Sequence, residues 1–448
     1  MRQNRHWLTR ALLGVLSTCA MLAAQDTAKL TLSRAIERAL KQNLDLVGQQ
    51  DRVLLADLSA RQSKNNLLPS LSLSGNAQRQ FAPADAAGNG DSNSVSFNLG
   101  ADFNLFNGFA DRAAIRSSEL DALMARKELT HTERTILFDT ASSFLKAVIT
   151  QSFIAVEEEN LKAQQAQLQL IDDFVSAGKR PRADLFQQKA DMAASELRLL
   201  DARRADHIQK LQLMQVIGET PEGKLFVEDP DMDPTIEGLK LSDFGQSLEL
   251  AYQNRADLQA QDLAIRSART GIQSARAGYL PKVSLFANLG GSYNSARSTD
   301  TLTRQLFDRN MSASAGLSVS VPVFDRLKTA AAVASARIEL HSTEVQRNRL
   351  RQQIAVEVQQ AREDFRSAHQ EITSSQSQLD YSQQALESIQ ARYRVNAATM
   401  AELIQSRAQM INARYSLISA RFTLMIRALN LAYVSGNDTL MKNMRSIK

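Results

Sequence analysis

The feature of this 448-residue sequence that most constrains its fold is a tandem duplication. Aligning Phe106-Asn107 with Phe324-Asp325 fixes a constant offset, and the same offset relates two series of apolar residues that largely repeat every seven positions. The first series is Ile154, Leu161, Leu168, Val175, Leu185, Met192, Leu199 and Leu213, and the second is Ile372, Leu379, Leu386, Tyr393, Leu403, Met410, Leu417 and Leu431. The chain is therefore expected to use one structural unit twice.

The prolines predict unusually long helices inside each unit. No Pro lies between Pro83 and Pro181, and none follows Pro322. Since an internal Pro breaks a helix, these gaps allow single helices over about residues 110–176 and 328–394, each roughly 100 Å long at 1.5 Å per residue. A short break then leads into a returning helix of about 35 residues, and each unit is expected to begin with another single helix, over residues 32–66 and 244–279.

Two alternating segments follow the first helix of each unit. Apolar residues occupy every second position and Ser, Asn, Gly or Asp fill most positions between them, which is the pattern of a strand with one apolar and one polar face. The apolar positions are Leu71 and Leu73, then Val95 to Leu105, in the first unit, and Val283 to Leu289, then Ala313 to Val323, in the second. Polar loops, residues 82–93 and 295–310, join the paired strands, and the first of them contains Gly.

These strands have the length of tilted transmembrane strands, but a chain with four of them cannot close a barrel. Open strand edges are not viable in lipid, so several copies of the chain would have to share one barrel. Three copies would supply 12 strands, whereas two would supply eight and leave almost no lumen. A soluble β-sandwich remains an alternative for the strands, and a soluble periplasmic coiled-coil scaffold for the whole protein.

The N-terminus predicts export. Arg2, Arg5 and Arg10 precede an apolar run that ends near Ala24, which is typical of a signal peptide over residues 1–24. Cys19 offers a second interpretation, in which it becomes an acylated mature N-terminus. The remaining divisions are a first repeat at residues 25–218, a linker at 219–240, a second repeat at 241–435 and a C-terminal tail at 436–448.

Composition argues against several classes of function. A formal charge of +5 on so long a chain predicts no nucleic-acid partner, and one Cys excludes a disulfide framework or a multi-cysteine metal site. The sequence has no P-loop and no G-x-S-x-G nucleophile motif, and its helical His residues have no partners at metal-ligand spacing. We therefore expect no enzyme, no cofactor, no metal and no catalytic residue.

The ordered motifs of the two units together resemble the TolC family of outer-membrane efflux proteins. Leu68-Pro69 and Leu280-Pro281 open the strand pairs, Phe106-Asn107-Gly108 and Val323-Phe324-Asp325 close them, and a G-x-x-x-x-x-D segment runs from Gly178 to Asp184. The resemblance implies a homotrimer with a 12-stranded barrel among outer-membrane lipids of a Gram-negative-type cell and an α-helical tunnel in the periplasm.

The same resemblance implies a function. The protein would be the passive exit duct of a tripartite efflux or type I secretion system. It would dock onto a periplasmic adaptor (a membrane fusion protein) and an inner-membrane pump of RND or ABC type. The exported substrate stays open.

The resemblance also assigns roles to residues at the helix breaks, which become periplasmic tips that gate the pore and meet the adaptor. Gly178 and Asn396 would be left-handed tip residues. Glu402 would form a ring of three pore carboxylates whose mutual repulsion raises their pKa, with Gln405 replacing the family's second acid. The alternative for Glu402 is a solvated carboxylate that stabilises the helix N-terminus.

The tip latch of known members is only partly matched. Asp184 and Tyr393 correspond to its acid and Tyr, but Ala398 stands in place of its Arg. Lys179, Arg180, Arg392 or Arg394 could substitute, or could instead be solvated or face the adaptor.

Overall fold

The structure, a computed structural model, describes residues 30–81, 91–220, 227–228, 243–296 and 300–437. The expected signal peptide, Cys19, most of the linker and the tip of the first strand loop lie outside these residues. The elements are α1 (Leu32–Gln42), α2 (Leu44–Asn65), β1 (Ser70–Gln80), β2 (Ser92–Asn107), α3 (Ala110–Ser176), α4 (Arg182–Ile217), α5 (Phe244–Asn254), α6 (Ala256–Arg276), β3 (Lys282–Asn294), β4 (Ser312–Ser320), α7 (Lys328–Arg394) and α8 (Met400–Val434). The expected fold class is confirmed: the chain is mainly helical, has a strand part and is built from a repeated unit.

The long helices are present with the predicted bounds. Both α3 and α7 contain 67 residues. Each begins directly after a residue in the left-handed region, Phe109 at φ 69° and Leu327 at φ 65°, so the chain turns sharply from strand to helix. Each then packs along the returning helix that follows it, α4 or α8, as an antiparallel hairpin.

The prediction of one continuous helix at the start of each unit was wrong. The helices break at Asn43 and Arg255, whose ψ values of 124° and 121° are extended rather than helical. The Asn43 side chain accepts hydrogen bonds from the backbone N–H groups of Asp45 and Leu46, which restores partners that the break removes. Arg255 instead forms ion pairs with Asp257 at 2.7 Å and with Glu357 of α7. The two breaks are related by the same offset as Leu68-Pro69 and Leu280-Pro281, so they belong to the repeated unit.

The four described strands form one antiparallel sheet in the order β1-β2-β3-β4. Residue pairing places the apolar positions on one face, as in Leu73↔Leu99↔Leu289↔Ala313. The polar positions lie on the opposite face, as in Ser72↔Gly100↔Asn288↔Ser314. β4 ends at Ser320, short of the predicted end at Val323, because Pro322 has no N–H to donate to the sheet.

The helices keep the order of the strands from which they extend. α6 packs between α3 and α7, and α2 packs on the other side of α3. The largest described core lies where α1, α3, α4 and α8 meet, around Ile36, Phe144, Leu213 and Leu429. Among the described helices, α8 is long and apolar enough to cross a membrane by length and composition, which the sequence analysis did not anticipate. Half of its apolar window is buried inside the protein, as suits a core helix.

Two glycines with the same backbone conformation provide a test of how the two repeats fit together. Gly108 follows β2 at φ 70°, and Gly178 follows α3 at φ 71°. A Cβ on Gly108 would lie 2.6 Å from the carbonyl oxygen of Ala277, whereas one on Gly178 would meet none of the described atoms within 4 Å.

We predict that Gly178→Ala lowers the free energy of unfolding by about 1 kcal/mol, the cost of a left-handed non-Gly residue. Gly108→Ala should cost about 1 to 3 kcal/mol more, because the added methyl group also meets rigid backbone. Thermal unfolding of both variants in detergent, followed by circular dichroism, measures the difference. Equal losses would contradict the close approach at Gly108.

Candidate functional site

The α3–α4 hairpin turns through a compact, hydrogen-bonded tip. Gly178 takes left-handed geometry, its N–H donates to the Val175 carbonyl at 3.0 Å, and the Lys179 N–H donates to the Phe174 carbonyl at 2.8 Å. This pair of bonds is the Schellman arrangement that ends many helices. Pro181, in extended geometry, then directly precedes Arg182, the first residue of α4.

The α7–α8 hairpin turns in the same way with a different residue. Asn396 has φ 61°, its N–H donates to the Tyr393 carbonyl at 3.2 Å, and the Ala397 N–H donates to the Arg392 carbonyl at 2.8 Å. Asn tolerates left-handed geometry better than other residues with a Cβ, which explains why it can replace Gly. The two tips are therefore structurally equivalent, as the sequence offset predicts.

Four residues join the two tips, and we call them the tip cluster: Arg180, Asp184, Tyr393 and Ala398. The Tyr393 hydroxyl donates to Asp184 Oδ2 at 3.0 Å, and the Arg180 guanidinium lies 4.0 Å from the centre of the Tyr393 ring. Arg180 Nη1 lies 3.7 Å from Asp184 Oδ2, and Arg180 Nη2 donates to the carbonyl oxygens of Tyr393 and Ala398. The Arg180 side chain of the first tip is thus hydrogen-bonded to the backbone of the second tip.

The tip cluster is buried, which strengthens its polar contacts. Tyr393 is 1% exposed, and burial together with the Asp184 carboxylate raises its pKa to about 12. Tyr393 therefore stays protonated at neutral pH and keeps donating to Asp184. Arg180 and Asp184 expose only 11% and 15% of their side chains.

The structure distinguishes among the basic residues that the sequence offered in place of the missing latch Arg. Arg180 enters the cluster, whereas Lys179 and Arg394 are exposed. Arg392 is also exposed and donates to the carbonyl of Ala397 at 2.9 Å, within its own tip. Arg180 reaches Ala398 from the other hairpin, so a cation fills the space beside Asp184 from a different position in the chain.

Glu402 and Gln405 lie exposed on the first turns of α8. The Glu402 carboxylate accepts from the Thr399 N–H at 2.7 Å, and the Glu402 N–H donates to the Thr399 hydroxyl at 3.2 Å. These reciprocal bonds form a capping box. Hydrogen bonds from Thr399 lower the pKa of Glu402. The expected rise of this pKa is therefore not seen in the single chain, and the helix-capping alternative describes the local contacts.

Sequence reasoning missed a second group, which we call the interior polar cluster, between α3, α4 and α8. Arg407 of α8 donates to the Gln164 side-chain oxygen, Gln188 donates to the same oxygen at 2.6 Å, and the Gln164 amide donates to Asp191. Burial lowers the pKa of Arg407, and the Asp191 carboxylate partly opposes that shift.

A second part of the interior polar cluster lies farther along the same helices. The Tyr415 hydroxyl donates to Glu157 at 2.6 Å, and Arg198 lies 3.7 Å from the same carboxylate. Residues of both parts line a cavity of about 270 Å³. These polar residues are visible in the sequence, on helices that carry the seven-residue apolar repeat. The repeat does not show that they face inward.

Within the described residues, no group of three His, Cys, Asp or Glu side chains is placed to hold a metal ion. The two clusters have the composition of inter-helix contacts, in which charged and amide groups pair with one another away from water. Arg180 Nε and Gln188 Oε1 are buried without a hydrogen-bond partner.

Comparison with known proteins identifies the family. A profile of the outer membrane efflux protein family matches residues 35–219 and 247–437, which is most of both repeats. The chain belongs to the outer membrane efflux protein family.

Individual relatives are distant in sequence, but the similarity extends over most of this chain. The outer membrane efflux protein BepC of Brucella suis is 22% identical over 334 residues, covering 74% of this chain and 69% of BepC. The pyoverdine export outer membrane protein OpmQ of Pseudomonas aeruginosa is 26% identical over 304 residues, covering 66% of this chain and 61% of OpmQ. A crystal structure of CusC has a TM-score of 0.79 at 18% identity, over 90% of this chain and 92% of that one.

Membership of this family confirms the sequence-based resemblance and the expected location in the outer membrane. It also confirms a transport function of the efflux or secretion type. This outer membrane efflux protein therefore has the fold of channel proteins such as CusC.

Proposed function

We propose that this outer membrane efflux protein is a homotrimeric exit duct that conducts substrates passively and is gated at its periplasmic tips. The observation that carries the proposal is the sheet with open edges. Both β1 and β4 lie at the edges of the described sheet, and the strands between them have one apolar and one polar face. Pairing β4 of one copy with β1 of the next would satisfy both edges and place the apolar face toward lipid.

The outer faces of the helices support the same assembly. Large apolar side chains are more than half exposed on three helices, although each helix also has a packed face. They are Leu44, Leu54, Leu55 and Leu58 on α2, Phe186, Leu197 and Leu200 on α4, and Ile338, Val356 and Tyr381 on α7. Since α2 and α7 lie at opposite ends of the helix order, these faces would meet between neighbouring copies, as the strand edges do.

The tip cluster supports gating at the tips. Arg180 of the α3–α4 hairpin holds the α7–α8 hairpin through the Tyr393 ring and two carbonyl groups, and Asp184 of the same α3–α4 hairpin accepts from the Tyr393 hydroxyl. Separation of the hairpins would break these contacts together. A docked periplasmic adaptor would supply the free energy of opening, and an RND or ABC pump in the inner membrane would drive the substrate, since the sequence has no nucleotide-binding motif.

We expect the intact protein to be a trimer in the outer-membrane fraction. Native mass spectrometry after detergent extraction tests this, and the subunit mass also distinguishes cleavage near Ala24 from acylation at Cys19. A monomer or dimer in the soluble fraction would overturn the duct and favour a periplasmic scaffold.

Removing the tip contact should open the pore. Arg180→Ala abolishes the contact with the Tyr393 ring and the hydrogen bonds to the carbonyl groups of Tyr393 and Ala398, so we expect a several-fold rise in single-channel conductance in planar bilayers. Lys179→Ala is the matched control, because it removes the same charge from an exposed neighbour and should leave conductance unchanged. Similar conductances for both variants and the parent protein would exclude Arg180 from the gate.

Glu402 should make the pore prefer cations, since three copies would bring three carboxylates together. Glu402→Gln keeps a capping-box residue and removes the charge, so we expect a loss of cation preference without loss of fold. Gln405→Glu should increase the preference. The preference should persist at neutral pH, because the Thr399 contacts lower the pKa of Glu402 and oppose the rise expected from repulsion in the ring, and it should fade as acid protonates the three carboxylates.

An ion preference that neither substitution changes, measured as the reversal potential in a salt gradient, would place Glu402 outside the pore. The capping role would then be its whole function.

A further inference from the structure

The segment between β3 and β4 has a structure of its own that the duct does not require. A helical turn, Leu302–Arg304, continues into a wider turn, Gln305–Arg309. The Gln305 side-chain oxygen accepts from the Asn294 N–H at 3.1 Å, and the Asn310 side chain donates to the Ser292 carbonyl at 2.7 Å. Gln305 is 1% exposed, so the segment is held against the end of β3.

The segment lies on the apolar face of the sheet. Gly291 pairs with Phe97, so both positions point to the face that also carries Leu99 and Leu289. A Cβ on Gly291 would clash with the carbonyl oxygen of Leu306, which shows that the segment's backbone crosses the sheet on this face. The Phe307 ring lies 5.4 Å from the Phe97 ring. Only Gly lets the backbone come this close.

The outer surface of the segment is apolar where it continues the sheet. Leu302 and Phe307 are exposed, as is Met311 just before β4. The basic side chains of the segment pair with an acid at its start, Arg309 with Asp300 at 2.7 Å and Arg304 with the same carboxylate at 3.8 Å. Among the charged residues of the described range 302–309, Asp308 alone takes no part in these pairs with Asp300, and a single charge of this kind suits a segment at the depth of the lipid headgroups.

The position of the segment identifies what covers it. The segment contacts β3 and Phe97 of β2, the two inner strands, and neither of these strands is an edge where another copy would pair. Its exposed apolar residues are continuous with the face that the proposed duct turns toward lipid.

We propose that residues 302–309 form a membrane collar, a short segment that inserts its apolar side into the outer leaflet of the membrane. This proposal rests on the proposed barrel. The collar covers the apolar face of the described sheet, opposite the polar face that would line the pore, so this loop anchors the extracellular end of the barrel in lipid instead of closing its mouth.

Tryptophan fluorescence tests the collar, because Trp7 is the only Trp in the sequence and would leave with the signal peptide. Three single variants of the full chain are purified and reconstituted into phosphatidylcholine vesicles whose acyl chains carry bromine near the headgroup or near the chain end. Phe307→Trp reports on the collar, Leu317→Trp on the apolar face of β4, and Asn98→Trp on the polar face of β2. The unsubstituted protein is the blank.

We expect bromine near the headgroup to quench Phe307→Trp several-fold more strongly than Asn98→Trp, which should respond to aqueous iodide instead. Quenching of Leu317→Trp by bromine establishes that the barrel lies in lipid. Leu317→Trp quenched by bromine while Phe307→Trp responds only to iodide would overturn the collar and leave the duct intact. Failure of bromine to quench Leu317→Trp would overturn both. Should Phe307→Trp fail to assemble, Leu302→Trp makes the same measurement.

Discussion

The structure depends on the unpaired edges of its sheet. In β1 and β4 a row of backbone N–H and C=O groups has no partner within the described chain, while the face between them exposes large apolar side chains such as Leu71 and Leu317. Water can satisfy such edges but lipid cannot, so an apolar sheet of this kind becomes stable in a membrane only when another copy completes it. The exposed apolar faces of the helices likewise need another copy of the chain to cover them.

The tandem duplication explains how one chain builds such a sheet from a single repeated unit. Each repeat contributes a strand pair and a long hairpin, and the two repeats differ where they must form different contacts. At the tips Asn396 replaces Gly178 with the same turn geometry, and the helix breaks at Asn43 and Arg255 are stabilised by a cap in one repeat and by ion pairs in the other. Backbone geometry is thus preserved while the side chains diverge.

Beside their apolar contacts, the two hairpins share two groups of buried polar contacts, whose strength depends on geometry. In the tip cluster and in the interior polar cluster, Arg180, Arg407 and their partners hold one another away from water. Breaking one partner of such a group leaves a buried charge uncompensated, whereas separating the whole group returns every member to solvent. Such a group resists small distortions of its geometry, as the gate proposed at the tips would need.

The sequence alone determined the repeated unit, the bounds of the two 67-residue helices, the two faces of the strands and the family, because hydrophobic period and proline position act locally. It did not determine the breaks at Asn43 and Arg255, since capping and ion pairing across helices outweigh a continuous helical pattern there. Tertiary structure alone selected Arg180 among the four basic candidates beside Asp184, and placed the Leu302–Arg309 segment on the apolar face. Both outcomes depend on distances between residues far apart in the chain, which the repeat pattern does not encode.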